Sequence, residues 1–229
     1  MFFVSKKKSS GLVPNKPQVV AKLKVGYYEE IGTRPTLEDR ICAQEISVKG
    51  SKRACFFGVY DGHGGQAAST FIEKKLHKEV EKDLAGAFKS GPASDDAIHA
   101  SLTSTFTAAD AELCKTAEGD AGSTASTLLL IDNKCYAANV GDSRVVLCRG
   151  GKAVPLTKDQ KPSDPEEKKR IKAAGGFVMN GRVLGTLAVS RAFGDREFKR
   201  TSSVRDMVAD GDTLSDDNIG PLVIPTPEV

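Results

Sequence analysis

The chain has 229 residues, 39% hydrophobic and 28% charged. This is ordinary globular usage, sufficient to bury a core in one large domain or two small ones. With 33 basic and 30 acidic residues the net charge is only +3, which excludes a nucleic-acid-scale field, and no run of about 18 apolar residues offers a membrane span.

In chain order, residues 1–20 are predicted to be a flexible leader. Met1-Phe2-Phe3-Val4 runs into Lys6, Lys7 and Lys8, and Gly11, Pro14 and Pro17 interrupt any period. That start fits neither a signal peptide nor, with Phe at position 2, N-myristoylation. Strands are predicted over 23–31, 41–48 and 54–60, the last apolar nearly throughout and so expected to be buried on both faces. Ala68, Ile72, Leu76, Val80 and Leu84 recur every fourth residue and predict one helix. Ile98, Leu102, Phe106, Ala109 and Leu113 predict a second, with Ser94 as N-cap and Asp95 and Asp96 in its first turn. A meander over 124–131, 134–140 and 144–149 follows, its connections short enough to require antiparallel neighbours. Asp164-Pro165-Glu166-Glu167 opens a short helix that Gly175-Gly176 stops. From 196 to 217 the chain is charged and loop-like. Long helices between sets of antiparallel strands point to an α+β layered sandwich.

The cysteines (Cys42, Cys55, Cys114, Cys135, Cys148) are odd in number and form no C-x-x-C pair. Reduced thiols of a cytoplasmic or nuclear protein are expected, not a zinc site or disulfide framework.

Chemistry-bearing residues fall into clusters. Gly32-Thr33-Arg34-Pro35-Thr36-Leu37-Glu38-Asp39-Arg40 puts an arginine fork and adjacent carboxylates in one loop. Such carboxylates repel unless a cation or arginine lies between them, and the bland alternative is an exposed charged turn. Asp61-Gly62-His63-Gly64-Gly65 follows the most apolar strand. It places a carboxylate and an imidazole at a buried strand's end, with glycines that permit close approach to the backbone. Hard divalent cations take carboxylate and carbonyl oxygens, so Asp61 and the Gly62 carbonyl are candidate Mg2+ or Mn2+ ligands. Gly141-Asp142-Ser143-Arg144 is also ordinary hairpin chemistry, and Ser190-Arg191-Ala192-Phe193-Gly194-Asp195 could by itself end a helix.

A dinucleotide site is a rival, since Gly62-x-Gly64-x-x-Ala67 follows a strand and precedes a helix. Asp61 counts against it by placing negative charge where a helix N-terminus should receive a pyrophosphate. The acidic residue expected at the end of a second strand is missing too, because Glu79, Glu81 and Asp83 lie on the helix.

Taken in order, Arg34 with Glu38-Asp39, Asp61-Gly62-His63-Gly64-Gly65, Ser123-Thr124-Ala125, Gly141-Asp142-Ser143-Arg144 and Ser190-Arg191-Ala192-Phe193-Gly194-Asp195 resemble the successive motifs of the PP2C family of metal-dependent serine/threonine protein phosphatases. The likeness runs from about residue 26 to 229. It implies a four-layer α-β-β-α sandwich of two antiparallel sheets flanked by helices, filling residues 21–229. It further implies two Mg2+ or Mn2+ ions, with Asp61 bridging them, Glu38 and the Gly62 carbonyl holding one, and Asp142 at a third, weaker site. Asp39 would support the ligands, Arg34 would bind the substrate phosphate, and His63 would protonate the leaving oxygen. Phosphorylated proteins are the implied partners, with no nucleic acid and no membrane, and the protein is expected to act as a monomer. The family pattern calls for further strands past Pro227-Glu228-Val229, carrying an Asp-Gly and an Asp-Asn motif, so the domain is expected to be incomplete at its C-terminal end. A non-catalytic module or inactive fragment is the alternative.

Overall fold

The computed structural model describes residues 2–4, 18–20, 23–116, 119–200, 204 and 220–229. In order the elements are β1 (Phe2–Val4), β2 (Gln18–Val20), β3 (Leu23–Val25), β4 (Arg40–Glu45), β5 (Ala54–Tyr60), β6 (Gly62–His63), α1 (Ala67–Ala87), α2 (Asp95–Thr116), β7 (Gly122–Ser123), β8 (Ala125–Ile131), β9 (Lys134–Val140), β10 (Val145–Arg149), β11 (Lys152–Pro155), α3 (Pro165–Ala173), β12 (Val178–Met179), β13 (Arg182–Val183) and β14 (Phe193–Gly194).

β5 and β8 are apolar because both are interior strands. The main sheet is antiparallel with order β4-β5-β8-β9, and every residue of β8 is buried. Its register sets Phe57 opposite Leu128 and Phe56 opposite Leu129. β8 and β9 are joined by Asp132-Asn133. Asp132 adopts a left-handed φ of 52°, and its Oδ1 accepts from the amides of Lys52 and Arg53 at 2.8 and 3.1 Å. That turn therefore fixes the preceding β4–β5 connection as well.

The two long helices form where the apolar stripes predict them. All five stripe positions of each helix are buried, and the helices pack on each other, with α1 also against β4 and β5. Ser94 Oγ accepts from Ala97 N at 3.2 Å at the start of α2, one of the donors a helix N-terminus leaves open. Truncating one stripe leucine to alanine costs about 2–5 kcal/mol at such sites. A smaller core gathers Ile171 of α3 with Val183, Val189, Ala192, Phe198, Leu222 and Val223. A second sheet, β1-β10-β11, touches the first through β10 and β8. The class is α+β with antiparallel sheets and helices laid against them, as expected.

Four differences from expectation have local causes. Strand 23–31 stops at Val25, and residues 26–39 run irregularly, with Gly32 at a left-handed φ of 60° and Pro35 unable to donate to a ladder. Within the expected leader, Phe2–Val4 pairs antiparallel with β10 and Gln18–Val20 with β3. His77 and His99 lie on the two helix patterns at positions where the sequence predicts solvated surface residues, yet both are half-buried; His99 packs edge-on against Tyr136 with ring centroids 5.9 Å apart. Most of the loop expected over 196–217 lies outside the described residues, though Arg196–Phe198 forms a 3-10 turn.

Candidate functional site

Asp61 stands where the chain leaves the centre of the main sheet. Its residue is 7% exposed, and both of its peptide groups are tied to Thr124. Asp61 N donates to Thr124 Oγ1 at 3.3 Å, and Thr124 N donates to Asp61 O at 2.9 Å. Thr124 Oγ1 also lies 3.1 Å from Ser143 Oγ. Asp61, Ser123-Thr124-Ala125 and Gly141-Asp142-Ser143 therefore meet at one end of the sheet, with the half-buried Asp142 in the turn beside Ser143.

Loop 26–39 reaches the same place through Gly62. A methyl group on Gly62 would overlap the Glu38 carbonyl oxygen and approach Ser69 Oγ to 2.8 Å. Ser69 on α1 donates to that same Glu38 carbonyl. Only a residue without Cβ lets these two backbones touch. Around them, Thr36 Oγ1 donates to Glu38 Oε1 at 3.0 Å, and Arg40 Nη1 donates to the carbonyls of Leu37 and Asp39 at 3.2 and 2.7 Å. Arg40 also bonds the Gln66 side chain, tying the loop to the start of α1. Glu38 and Asp39 are half-buried, while Arg34 sits on the exposed part of the loop, where its amide donates to Ile31 O at 3.2 Å.

Among the described residues no three His, Cys, Asp or Glu side chains form a group that could hold a metal ion. The expected donor set does not require one at this point, because it combines the carboxylates of Glu38 and Asp61 with the Gly62 carbonyl. The contact across Gly62 brings the segments bearing all three donors together, and an all-oxygen set is what Mg2+ or Mn2+ takes. In the chemistry of their donors, the residues on these segments suit such an ion.

His63 forms a contact that spacing did not predict. Its Nε2 lies 2.9 Å from both Asp195 carboxylate oxygens. Asp195 was visible in the sequence only as the end of the Ser190–Asp195 motif. A second pairing missed from sequence is that of Glu167, buried at 4% exposure, which accepts from Arg191 Nη2 at 2.7 Å and Arg170 Nη2 at 3.0 Å. Burial alone pushes its carboxyl up, but the two guanidinium groups prevail and hold it below the usual value. Glu167 looked like an N-terminal helix glutamate, whereas the amide accepted by the Asp164 cap is that of Glu166. A shallow cavity of about 480 Å³ adjoins the His63 loop, lined in part by Arg40, Gly64, Gly65 and Gln66.

The family model for Protein phosphatase 2C matches residues 24–229. The chain belongs to the protein phosphatase 2C family. It is 42% identical over 186 residues to probable protein phosphatase 2C 55 of Oryza sativa subsp. japonica, covering 78% of this chain and 47% of the relative. Probable protein phosphatase 2C 59 of Arabidopsis thaliana is 39% identical over 189 residues, covering 78% of this chain and 57% of the relative. The chain thus spans about half the length of these relatives. Among solved structures, a phosphatase from Toxoplasma gondii superposes with a TM-score of 0.64 at 25% identity, covering 86% of this chain and 68% of that one. The serine-threonine phosphatase 2C from Toxoplasma gondii superposes with a TM-score of 0.71 over 99% of this chain and 76% of that one; at 22% identity it speaks for the fold alone.

Proposed function

We propose that the protein hydrolyses phosphoserine and phosphothreonine in other proteins, using Mg2+ or Mn2+ held by Glu38, Asp61 and the Gly62 carbonyl, with Asp142 at a third, weaker site. Bound there, divalent cations lower the pKa of a water and offset charge on the transferring phosphoryl group. Arg34 offers a planar fork that donates to two phosphate oxygens and orients phosphorus toward the incoming water. As the oxygen–phosphorus bond to the side chain breaks, His63 supplies a proton to the departing seryl or threonyl oxygen, giving a free hydroxyl and inorganic phosphate. Asp39 supports the loop that carries Glu38.

The carrying observation is the backbone contact of Glu38 with Gly62, next to the buried Asp61, because it brings together the segments that carry these oxygen donors. Among the described residues, no helix is long and apolar enough to cross a membrane. The test is phosphate release from a phosphoseryl peptide by the full-length protein, with and without Mn2+. Manganese-dependent release that Asp61→Ala abolishes is expected. No release under either condition overturns the proposal, and tight Mn2+ binding without release would leave a non-catalytic module.

A further inference from the structure

We infer that Asp195 is a positioning residue for His63, an inference that rests on the phosphatase function proposed above. β7 is the middle strand of a three-stranded sheet, with β6 on one side and β14 on the other. In its register Gly122 stands opposite His63 and also opposite Gly194. His63 and Asp195 therefore approach each other over Gly122, and a methyl group there would overlap both His63 Nε2 and Asp195 Oδ2. Gly122 leaves the gap in which the pair meets.

The carboxylate is more deeply buried than the ring it faces, and its backbone is anchored. Asp195 has a left-handed backbone, φ 48° and ψ 49°, a conformation that aspartate tolerates better than most residues. Asp195 N donates to Ala121 O at 3.2 Å, and Phe198 N donates to Asp195 O at 3.0 Å. The preceding residue is anchored as well, since Gly194 N donates to Asp110 Oδ1 at 2.8 Å. Lys199 Nζ braces that anchor, 2.7 Å from Asp110 Oδ1 and 2.8 Å from Ala192 O. Side-chain exposure is 4% for Asp195 and 31% for His63. A buried, fixed carboxylate thus faces an imidazole that reaches solvent.

A carboxylate only accepts, so the proton on this side of the ring belongs to His63 Nε2. Asp195 thereby selects the tautomer, fixes the ring plane and determines which nitrogen the ring presents to a substrate, as partners of histidine do in other sites. Asp195→Asn is the informative change, because asparagine is of the same size and also tolerates the left-handed backbone. Both carboxylate oxygens lie at 2.9 Å from Nε2, so an amide there sets an NH2 group against the ring N–H.

The experiment compares two substrates of the full-length protein supplied with Mn2+. A phosphoseryl peptide leaves as an alkoxide that needs a proton, whereas nitrophenolate departs from p-nitrophenyl phosphate unaided. Asp195→Asn is expected to lower kcat on the peptide about 10–100-fold, with KM and aryl phosphate turnover changed less than about threefold, and His63→Asn is expected to show the same selectivity. Equal losses on both substrates, or none, overturn the inference. A wild-type protein inactive on both substrates sinks the phosphatase function instead. The inference is then read without turnover from ring 15N shifts of the metal-free protein, which has only 3 histidines to assign. A His63 proton on Nε2 in the wild type, redistributed in Asp195→Asn, supports it; a wild-type ring protonated on Nδ1 alone, with Nε2 bare, overturns it. The wild-type spectrum decides alone if the variant does not fold.

Discussion

Thr124 holds Asp61 by both of its peptide groups: its Oγ1 accepts from Asp61 N at 3.3 Å and its amide donates to Asp61 O at 2.9 Å. The residue is 1% exposed, so no water replaces a lost partner. Thr124→Val keeps the shape and removes the oxygen, leaving a buried N–H and Ser143 Oγ without this partner. The expected cost is about 1–3 kcal/mol, or roughly 2–10 °C in Tm for a chain of this size. Thr124→Ser retains the oxygen and is expected to recover most of the loss in a thermal melt. If valine melts like the wild type, the clamp contributes nothing.

Gly62 should be intolerant of even one methyl group. The atom it would meet is the Glu38 backbone oxygen, which cannot swing aside as a side-chain tip can. Overpacking of this kind costs about 1–3 kcal/mol. The displacement falls on the segment bearing Glu38, so Gly62→Ala is expected to lose Mn2+ affinity at least about tenfold by calorimetry while still folding. Gly86 in α1 is the control, because a Cβ there meets nothing within 4 Å. Gly86→Ala is expected to raise Tm slightly, the helix preferring alanine by about 0.5–1 kcal/mol. Equal Mn2+ affinity in Gly62→Ala and the wild type would detach Glu38 from the ion.

What the sequence disclosed, and what it hid, divides by the range of the interaction. α1 and α2 were legible because burial of Ile72, Leu76, Leu102 and Phe106 follows from a local period that each helix imposes on its own residues. β5 was legible for the same reason, and Asp61-Gly62-His63 could be picked out because polar residues and glycines end an apolar strand. The early end of β3 was hidden, since the apolar residues of 26–31 find no partner strand among the described residues. Asp195 lies 132 residues from His63, and their meeting depends on a left-handed backbone and on the absence of a side chain at Gly122. None of that is encoded by a period. Glu167 was misleading in another way: a glutamate in a first helical turn suits the dipole wherever it points, and only packing shows that it turns inward to Arg170 and Arg191.

That inward turn makes a pH prediction. The folded-state pKa of Glu167 lies below its ordinary value of 4.5. Its ion pairs therefore contribute fully above that value, and the contribution is lost as pH falls through the folded pKa. Removing the charge leaves two guanidinium groups facing a neutral amide, and breaking one side of a buried cluster costs about 3–5 kcal/mol. Glu167→Gln should melt well below the wild type at pH 7, and the gap should narrow steadily below about pH 4.5. A gap independent of pH would show that packing, not charge, is what glutamate supplies between α3 and Arg191.

The thiols should sort by burial rather than by sequence position. Cys42 is 4% exposed, and desolvation, aided by Glu73, pushes its thiol up to about 12. At pH 8 that leaves on the order of one thiolate in ten thousand, and the thiolate is the nucleophile. Cys55 has no exposed surface, and burial raises its pKa as well. Cys135 is also raised by desolvation, yet it is exposed and can be reached. Iodoacetamide at pH 8, followed by peptide mass spectrometry, should modify Cys135 in the native protein and leave Cys42 and Cys55 unmodified until denaturant is added. Labelling of Cys42 or Cys55 as fast as Cys135 without denaturant would mean that the β4–β5 region opens far more readily than its packing against β8 and α1 implies.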